Sequence, residues 1–511
     1  MLLNSCNATA VTILLPAAGR DLDIPDYNLQ WPISAYSVSS GCFLILFGRL
    51  ADLYGRKKVF LSGYAFMGLF ALGCGFAQDE ITLDVLRGIQ GIGGAAVIPA
   101  SVRILNFLSR SVLIRESVGR GPLGGTFGFV LGSVLVEVTK PTWRSLFFVC
   151  AGLALFGTVL GFIYIDPDQP STEKDRRVDW IGAFFVTVGL VLVVFVLSDA
   201  PTATHGWKTN YIIALLVIGI AFVLVFLAWQ RYLERLQNDP TRPSSAWAAP
   251  PLMKLSMWSR SKGRFAVMQF IAFINWCSFL CWMYWVQLYY QNFMHLSPIQ
   301  TMLRILPTTV VGIACNVIVA LVVGRVDVVY LIVLGTLLTG FANIFFALID
   351  TSAPYWAFGF PSALIIVFGA DFVFAAGTLF IAKISLPSEQ SVAGALFMTM
   401  TQLGTAFGLS ISTIVFNSVL QSEAAKYGIV VNKSGSNAPE AAQLKAYQAA
   451  EWTGFAFGIT GTLLAILLRG VGIVGHNGPH GGEEPAFAEQ ENPSSSEIQL
   501  EKIPSEKGID T

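Results

Sequence analysis

Long apolar stretches recur along almost the whole chain and are separated by short polar segments. Each stretch has about 20 residues, the length that a helix needs to cross a hydrocarbon core of roughly 30 Å. No signal peptide is expected, because no basic region precedes the first stretch. The pattern predicts fourteen membrane-spanning helices with cores at 2–18, 31–50, 58–78, 84–106, 118–138, 145–165, 179–198, 211–231, 265–288, 298–322, 328–349, 357–381, 391–419 and 451–468.

The composition supports an all-α polytopic membrane protein. The 511 residues are 54% hydrophobic and only 13% charged, whereas soluble domains have about 25% charged residues. A formal net charge of zero implies no acidic or basic partner, so nucleic acid is not expected to bind. The seven cysteines all fall within predicted spans, so we expect no disulfide, no metal site and no cofactor.

The distribution of cations predicts the orientation. With the N-terminus in the cytoplasm, twenty Lys and Arg residues fall in cytoplasmic loops and seven fall in outer loops. This asymmetry satisfies the positive-inside rule. An even number of spans then places both termini in the cytoplasm.

The chain is expected to consist of two similar halves. The turn Gly324-Arg325-Val326-Asp327 follows the tenth span as a similar turn at Gly48 follows the second, and secondary transporters are commonly built from repeated halves. The predicted divisions are a six-helix half at 1–165, two inserted helices at 166–231, a cytoplasmic linker at 232–263, a second six-helix half at 264–470 and a disordered cytoplasmic tail at 471–511.

A glycine-punctuated charged turn between the second and third spans is the strongest functional signal. An ordinary cytoplasmic loop explains its cations but not the glycines or the acid. The acid can pair with a cation one turn later and face a helix N-terminus of the other half, which would latch one conformation. The predicted gating residues are Gly48, Arg49, Asp52, Gly55, Arg56, Lys57 and Lys58.

Ionisable residues inside spans are costly and therefore mark functional candidates. Asp371 is the preferred proton carrier, because no cation lies near it in sequence; the alternative is a role in helix packing. Asp84 is the next candidate and lies one turn from Arg87, so the two could instead form a buried structural pair. Glu137 and Arg304 are expected near the outer ends of their spans, with their charges reaching water.

The ninth span is rich in aromatic residues interleaved with amides. Its inward face could line an amphipathic cavity suited to aromatic or cationic compounds, with Trp276, Trp282, Gln269 and Asn275 as the candidate lining residues. An aromatic belt facing lipid is the favoured explanation for most of the rings. In the large outer loop at 420–450, Asn432-Lys433-Ser434 forms a sequon that predicts glycosylation at Asn432, although a chance match explains it as well.

Several motifs in the correct order resemble those of the major facilitator superfamily. The turn from Gly48 to Lys58 resembles its loop motif, and Leu86-Arg87-Gly88 with the residues through Ala96 resembles its fourth-helix motif. Gly124, Gly125, Gly128 and Gly132 resemble the glycine-rich antiporter motif of the fifth helix, and Trp143-Arg144 and Gly369-Ala370-Asp371-Phe372 are also typical. Within the superfamily, the chain is most similar to the fourteen-span drug:H⁺ antiporters of the second subfamily, especially fungal transporters of the aminotriazole-resistance type.

The sequence departs from these motifs at three places. Ser133 stands where the antiporter motif usually has proline, and Val136-Glu137 stands where it usually has a glycine pair. Asn7-Ala8-Thr9 occupies a place in the first span where many relatives carry an acid, so no proton site is expected there.

The resemblance implies a monomeric, proton-driven exporter of small, largely apolar or cationic molecules, with Arg87 taking part in proton coupling. The partners are then the substrate, protons and the lipid bilayer, and the plasma membrane is favoured over the vacuole. The altered fifth-helix motif keeps proton-coupled uptake or siderophore-type transport open, and a non-transporting nutrient sensor is a further alternative. Scattered histidines argue against an enzyme, and the absence of a Walker-type motif argues against direct drive by ATP.

Overall fold

The structure is a computed structural model that describes residues 2–108, 112–166, 168, 175–200, 203, 206–237, 249–322, 325–386, 389–432, 435 and 437–469. Within these ranges the chain forms helices, short turns and connecting segments, and no strand. The helices are α1 (Leu2–Asp21), α2 (Trp31–Tyr54), α3 (Arg56–Gly75), α4 (Glu80–Leu108), α5 (Val112–Val138), α6 (Arg144–Tyr164), α7 (Trp180–Asp199), α8 (Asn210–Gln237), α9 (Ser256–Ser259), α10 (Arg264–Leu288), α11 (Pro298–Ile305), α12 (Pro307–Val322), α13 (Val328–Ala347), α14 (Tyr355–Ile384), α15 (Gln390–Ala425) and α16 (Glu440–Ile466).

The predicted all-α membrane fold is confirmed. Twelve helical segments within the described residues are long and apolar enough to cross a membrane. Outside that set, α1 has 20 residues and α5 has 27. The predicted tenth span is interrupted: α11 ends at Ile305 and α12 begins at Pro307, because proline lacks the backbone donor that would continue the helix.

The helices pack into two bundles. In the first, α1 packs on α5, α2 and α3 pack on α4, and α3 packs on α6. In the second, α13 packs on α14 and α16, α10 packs on α15 and α16, and α12 packs on α14. The pair α7 and α8 packs together, and α7 also contacts α2 and α15. One helix of the pair, α7, therefore touches both bundles. The predicted boundaries between the two halves, the inserted helices and the linker stay a prediction.

Small residues let the helix backbones approach closely. In the second bundle, Gly340 of α13 faces Gly458 of α16, and a Cβ on Gly340 would lie 3.4 Å from the Gly458 backbone. In the first, a Cβ on Gly93 of α4 would lie 2.8 Å from the Met67 backbone of α3. Close backbone contact of this kind stabilises helix association where lipid provides little hydrophobic drive.

Two ends of the helix bundle are used below as reference points. The end that contains Asp21, where α1 finishes, is called the Asp21 end. The end that contains Arg56, where α3 begins, is called the Arg56 end.

Candidate functional site

The glycine-punctuated turn lies at the Arg56 end between α2 and α3. Gly55 has φ = +106°, a conformation that favours glycine, and it separates the two helices. Asp52 pairs with Arg56 at 3.7 Å, as their spacing predicts. The Asp168 carboxylate, after α6, accepts hydrogen bonds from the backbone N–H groups of Lys57 (2.7 Å) and Lys58 (3.2 Å). A carboxylate at this helix N-terminus satisfies donors that the helix itself leaves unpaired.

The cations of the turn bind the segment that follows the sixth helix. Lys57 Nζ donates to the carbonyls of Phe162 (3.0 Å) and Ile165 (2.5 Å), at the C-terminus of α6. Arg49 donates to the Asp175 carbonyl at 2.6 Å. The turn and the α6–α7 connection are therefore fastened together, whereas a Cβ on Gly48 would meet no atom within 4 Å.

Arg87 lies in the middle of the first bundle and is only 1% exposed. Its guanidinium donates to the Pro32 carbonyl (2.9 Å), to Asn7 Oδ1 (3.3 Å) and to Gln90 Oε1 (2.6 Å). It also lies 4.5 Å from the centre of the Tyr36 ring, which attracts a cation through its π-face. Three polar partners and an aromatic face thus solvate a charge that lipid could not.

Asp84 and Arg87 lie close enough to interact electrostatically. Among the described residues, however, no carboxylate lies within ion-pair distance of Arg87. Asp84 Oδ1 is buried without a hydrogen-bond partner among the same residues. The two residues therefore act on each other through space without a direct ion pair, and their role in coupling stays a prediction.

The glycines of the fifth helix form the surface on which α1 packs. A Cβ on Gly128 would lie 2.6 Å from the Cys6 carbonyl oxygen, and one on Gly132 would lie 2.8 Å from the Ile13 side chain. Gly124 is buried, and the Gly125 carbonyl accepts a hydrogen bond from Thr9 at 3.0 Å. Position 133, where proline is usual, holds Ser133, whose hydroxyl bonds the Val130 carbonyl at 3.0 Å within a continuous helix.

Asp371 lies in the second bundle, on a different set of helices from Arg87. Its carboxyl faces Asn316 and Cys315 of α12. Its Oδ2 atom is buried and has no hydrogen-bond partner among the described residues. Of the three residues predicted to couple protons, Arg87 and Asp84 therefore lie in the first bundle and Asp371 lies in the second.

The aromatic belt predicted for most rings of the ninth span is wrong for its largest cluster. Trp282, Trp285, Tyr284, Tyr289 and Tyr290 are at most 3% exposed, so they fill the protein interior. The error arises because aromatic content alone does not tell which face of a helix meets lipid.

The four proposed cavity residues of that span lie in different surroundings. Trp282 donates to the Ser362 hydroxyl at 2.6 Å, and Asn275 donates to the Gly369 carbonyl at 3.2 Å. Both partners belong to α14, within the second bundle. Gln269 is buried with neither amide atom paired among the described residues. Trp276 is half-buried and its ring centre lies 5.9 Å from that of Phe374.

Polar contacts join the two bundles toward the Asp21 end. Gln291, in the π-helical turn Tyr289–Phe293 that follows α10, donates to the Ile13 carbonyl of α1 at 3.1 Å. Gln287 of α10 donates to the Thr12 carbonyl of α1. The hydroxyls of Thr126 and Thr309 lie 2.6 Å apart, which links α5 to α12. A further link joins α2 to α15. These bonds accompany apolar packing between the bundles, such as the cluster of Val38 and Cys42 of α2 with Leu403 and Ala406 of α15.

Two charged residues at this end were expected to reach water. Glu137 is exposed, and it also accepts a hydrogen bond from the Ile299 backbone N–H at 3.1 Å. This bond connects α5 of the first bundle to the N-terminus of α11. Arg304 instead lies over aromatic rings, 5.0 Å from the centre of Tyr290 and 5.6 Å from that of Tyr355.

The sequon residue Asn432 lies in the connection between α15 and α16, at the Asp21 end. It is exposed. The other two residues of the sequon, 433 and 434, lie outside the described residues. Glycosylation stays a prediction.

Comparison with known proteins identifies the family. The family model described as Major Facilitator Superfamily matches residues 1–198 and 172–409. The chain belongs to the Major Facilitator Superfamily. A solved structure of this fold, the POT family transporter PepTSo, superposes with a TM-score of 0.62 at 15% identity and covers 91% of this chain and 96% of that one.

Curated relatives of this superfamily member include transporters whose names state different roles. The efflux pump terJ of Aspergillus terreus is 24% identical over 91% of this chain and 81% of its own length. The low affinity ammonium transporter of Saccharomyces cerevisiae is 26% identical over 75% and 73%, respectively. The aminotriazole resistance protein of the same yeast is 26% identical over 45% of this chain and 44% of its own. One of these relatives is thus named as an efflux pump, one as a transporter of ammonium, and one for resistance to aminotriazole.

Two acidic residues of this superfamily member were missed by the sequence analysis. Glu451 was placed at the very start of the last apolar stretch, but α16 begins at Glu440, so the carboxyl is three turns inside the helix and 2% exposed. The feature that indicates the longer helix is the helix-forming run Ala441-Ala442-Gln443-Leu444, which precedes Glu451. Asp26, in the loop between α1 and α2, faces the second bundle, where it acts electrostatically on Tyr284 and Tyr447.

Proposed function

We propose that this chain is a proton-coupled secondary transporter that exports small, largely apolar or cationic molecules by alternating access. Fourteen membrane-spanning helices, formed when α1 and α5 join the other twelve segments, place both termini in the cytoplasm. The protein acts as a monomer in the plasma membrane, and the proton gradient supplies the energy without a bound cofactor. This is the mode of the fungal drug:H⁺ antiporters that its motifs resemble.

The observation that carries the proposal is the nature of the contact between the bundles. The bundles are joined by discrete hydrogen bonds, those of Gln291 and Thr126 within the helices and that of Glu137 at the Asp21 end. At the Arg56 end, the glycine-punctuated turn is fastened to the segment after α6, which belongs with the first bundle. A few exchangeable bonds between the bundles and a turn held rigidly on one of them suit two bundles that rock around a site between them.

The turn at the Arg56 end would set the balance between the conformation in which the bundles are open at that end and the one in which they are closed there. Asp52 and Arg56 are paired in the present conformation, and the space next to Gly48 is open. When the bundles close at this end, the open space would be filled by the opposing bundle, and Asp52 would face one of its helix N-termini. Weakening of that contact by substrate or proton binding would release the closed state.

The nature of the substrate is inferred from relatives and from ring chemistry. The relative named efflux pump terJ supports export. The aromatic side chains near the bundle interface, including half-buried Trp276, attract flat or cationic compounds through their faces. Uptake is the second candidate, because another relative is named as a low affinity ammonium transporter.

Transport assays in proteoliposomes test the proposal. The probes are aminotriazole, tetraphenylphosphonium and ammonium, each added under an imposed pH gradient, with proton movement followed by an internal pH dye. Export predicts that aminotriazole or tetraphenylphosphonium moves against protons. Ammonium movement in the same direction as protons would establish uptake instead. A preparation that binds none of the probes and moves no protons would refute coupled transport.

A further inference from the structure

Helix α16 carries a carboxyl group without any partner in the interior of the second bundle. Glu451 is 2% exposed. Neither Oε1 nor Oε2 has a hydrogen-bond partner among the described residues. A buried polar atom is normally hydrogen-bonded, so two orphaned oxygens on one side chain call for an explanation.

The surroundings of Glu451 come from three other helices and contain no cation. On α10, Cys281 Sγ donates to the Ala450 carbonyl at 3.3 Å, and Ser278 donates to the Gly454 carbonyl at 2.7 Å. Asn343 of α13 contacts Gly454, and Ser412 of α15 lies next to Cys281. The titratable group that acts on the carboxyl from a neighbouring helix is therefore Cys281, and Tyr447 lies one turn earlier on α16 itself. Among the described residues no Lys, Arg or His lies within ion-pair distance.

A negative charge on the buried Glu451 carboxyl would be energetically unfavourable. An ionised carboxylate without a counter-ion or donors loses its hydration, which costs far more than burial of the neutral acid. The neutral form also supplies one O–H donor of its own. A carboxyl can remain in this place only while it holds a proton.

A line of polar groups connects Glu451 with the Asp21 end. Tyr447 lies one helical turn before Glu451 on α16, and its ring packs against Trp285, with centres 6.0 Å apart. The Tyr284 hydroxyl is buried and also lacks a hydrogen-bond partner among the described residues. Asp26 acts electrostatically on both tyrosines.

We infer that Glu451 is the group that carries the coupled proton: it holds the proton while the second bundle is closed around it and releases it to water when the bundle opens. The step breaks the O–H bond of the Glu451 carboxyl and gives the proton to water, and no electron changes hands. This inference rests on the proposed function and places the proton carrier on α16 rather than at Asp371.

Infrared spectroscopy of the purified full-length protein tests the protonation directly and needs no substrate. The C=O stretching band of a protonated carboxylic acid is compared at neutral pH between the wild type and Glu451→Gln. Loss of part of this band in the variant supports the inference. An unchanged band overturns it. Glu440→Gln is the matched control, because Glu440 lies exposed at the start of the same helix, and it should leave the band intact.

Transport assays then distinguish failure of the inference from failure of the proposed function. Counterflow of tetraphenylphosphonium needs alternating access but no net proton movement, whereas probe-induced proton flux needs the carrier. Glu451→Gln should retain counterflow and lose proton flux, and Glu451→Asp, which restores an acid, should recover part of the flux. Full proton flux in Glu451→Gln overturns the inference and leaves the proposed function standing. A wild type that moves no protons with the probe overturns the proposed function and the inference with it.

Discussion

Asp26 should make the protein less stable as the pH rises, the reverse of the effect of an ion-paired carboxylate. The residue lies outside the helices, in the loop between α1 and α2. Burial raises the pKa of Asp26 from 3.8 to about 7. Its neighbours include Tyr284, Tyr447 and the Gly435 backbone, where an added Cβ would lie 2.9 Å from Asp26 Oδ2. None of them is a cation that would favour the carboxylate.

The sign of the effect follows from proton binding. In the unfolded chain Asp26 ionises at its ordinary pKa of 3.8, and in the folded protein at about 7. Between these values the folded protein binds more protons, so the free energy of unfolding falls as pH rises and levels off above the folded pKa. Three pKa units at about 1.36 kcal/mol each give at most about 4 kcal/mol. Roughly 2.5 kcal/mol of this loss falls between about pH 5 and about pH 8, and partial exposure of the side chain reduces it further.

Thermal unfolding of the detergent-purified protein, at about pH 5 and about pH 8, measures this effect. Asp26→Asn removes the titrating group, so the variant should lose part of the pH dependence and unfold at a higher temperature than the wild type at the higher pH. Asp23→Asn is the matched control, because Asp23 is exposed in the same loop, and it should behave as the wild type. Equal pH dependence in the wild type and Asp26→Asn would refute the reasoning.

Three further substitutions test other parts of the site. Gly55→Ala should lower the stability by about 1–3 kcal/mol, because the φ of +106° is strained for alanine and its Cβ would overlap the Asp168 carboxylate. Gly48→Ala is the control and should unfold like the wild type; equal unfolding temperatures for the two variants would contradict the argument. Glu137→Gln should weaken the hydrogen bond to the α11 backbone by about 1 kcal/mol. The distance between spin labels on the two bundles at the Asp21 end should then increase. An unchanged distance distribution would show that this bond does not hold the bundles together. Arg87→Lys should unfold at a lower temperature and lose transport, because lysine lacks the planar fork that reaches three acceptors; wild-type stability would show that the three bonds contribute little.

The positions of the spans were largely predictable because hydropathy reports directly on the part of a helix that lies in lipid. The predicted span at 328–349 corresponds to α13 at Val328–Ala347. The last span differs, since the apolar stretch begins at 451 while α16 begins at Glu440. Its first turns are polar and helical, and a hydropathy pattern does not register a helix that extends beyond the apolar layer. This difference concealed Glu451.

Local contacts of the site were also more predictable than distant ones. The Asp52–Arg56 pair follows from a spacing of four residues on one helix. The partners of Arg87 belong mainly to other helices, at Pro32 and Asn7, and no spacing along the chain indicates them. The place of Trp282 inside the second bundle was missed for the same reason, because the face that a helix turns to its neighbours is decided by packing.

Arg87 and Glu451 are buried in opposite ways, and this difference argues for where coupling takes place. In the first bundle, the charge of Arg87 is solvated by three hydrogen bonds and the Tyr36 ring, so it can stay charged throughout a transport cycle. In the second, Glu451 has no hydrogen-bond partner within the described part of the chain that would stabilise its charged form. A proton-driven cycle needs a group whose charge changes as the protein changes shape. A fully solvated arginine resists such a change, whereas an orphaned carboxyl requires one whenever water reaches it. On the proposed mechanism, Arg87 therefore supplies a fixed charge that holds the helices of the first bundle in place, and Glu451 supplies the group that titrates.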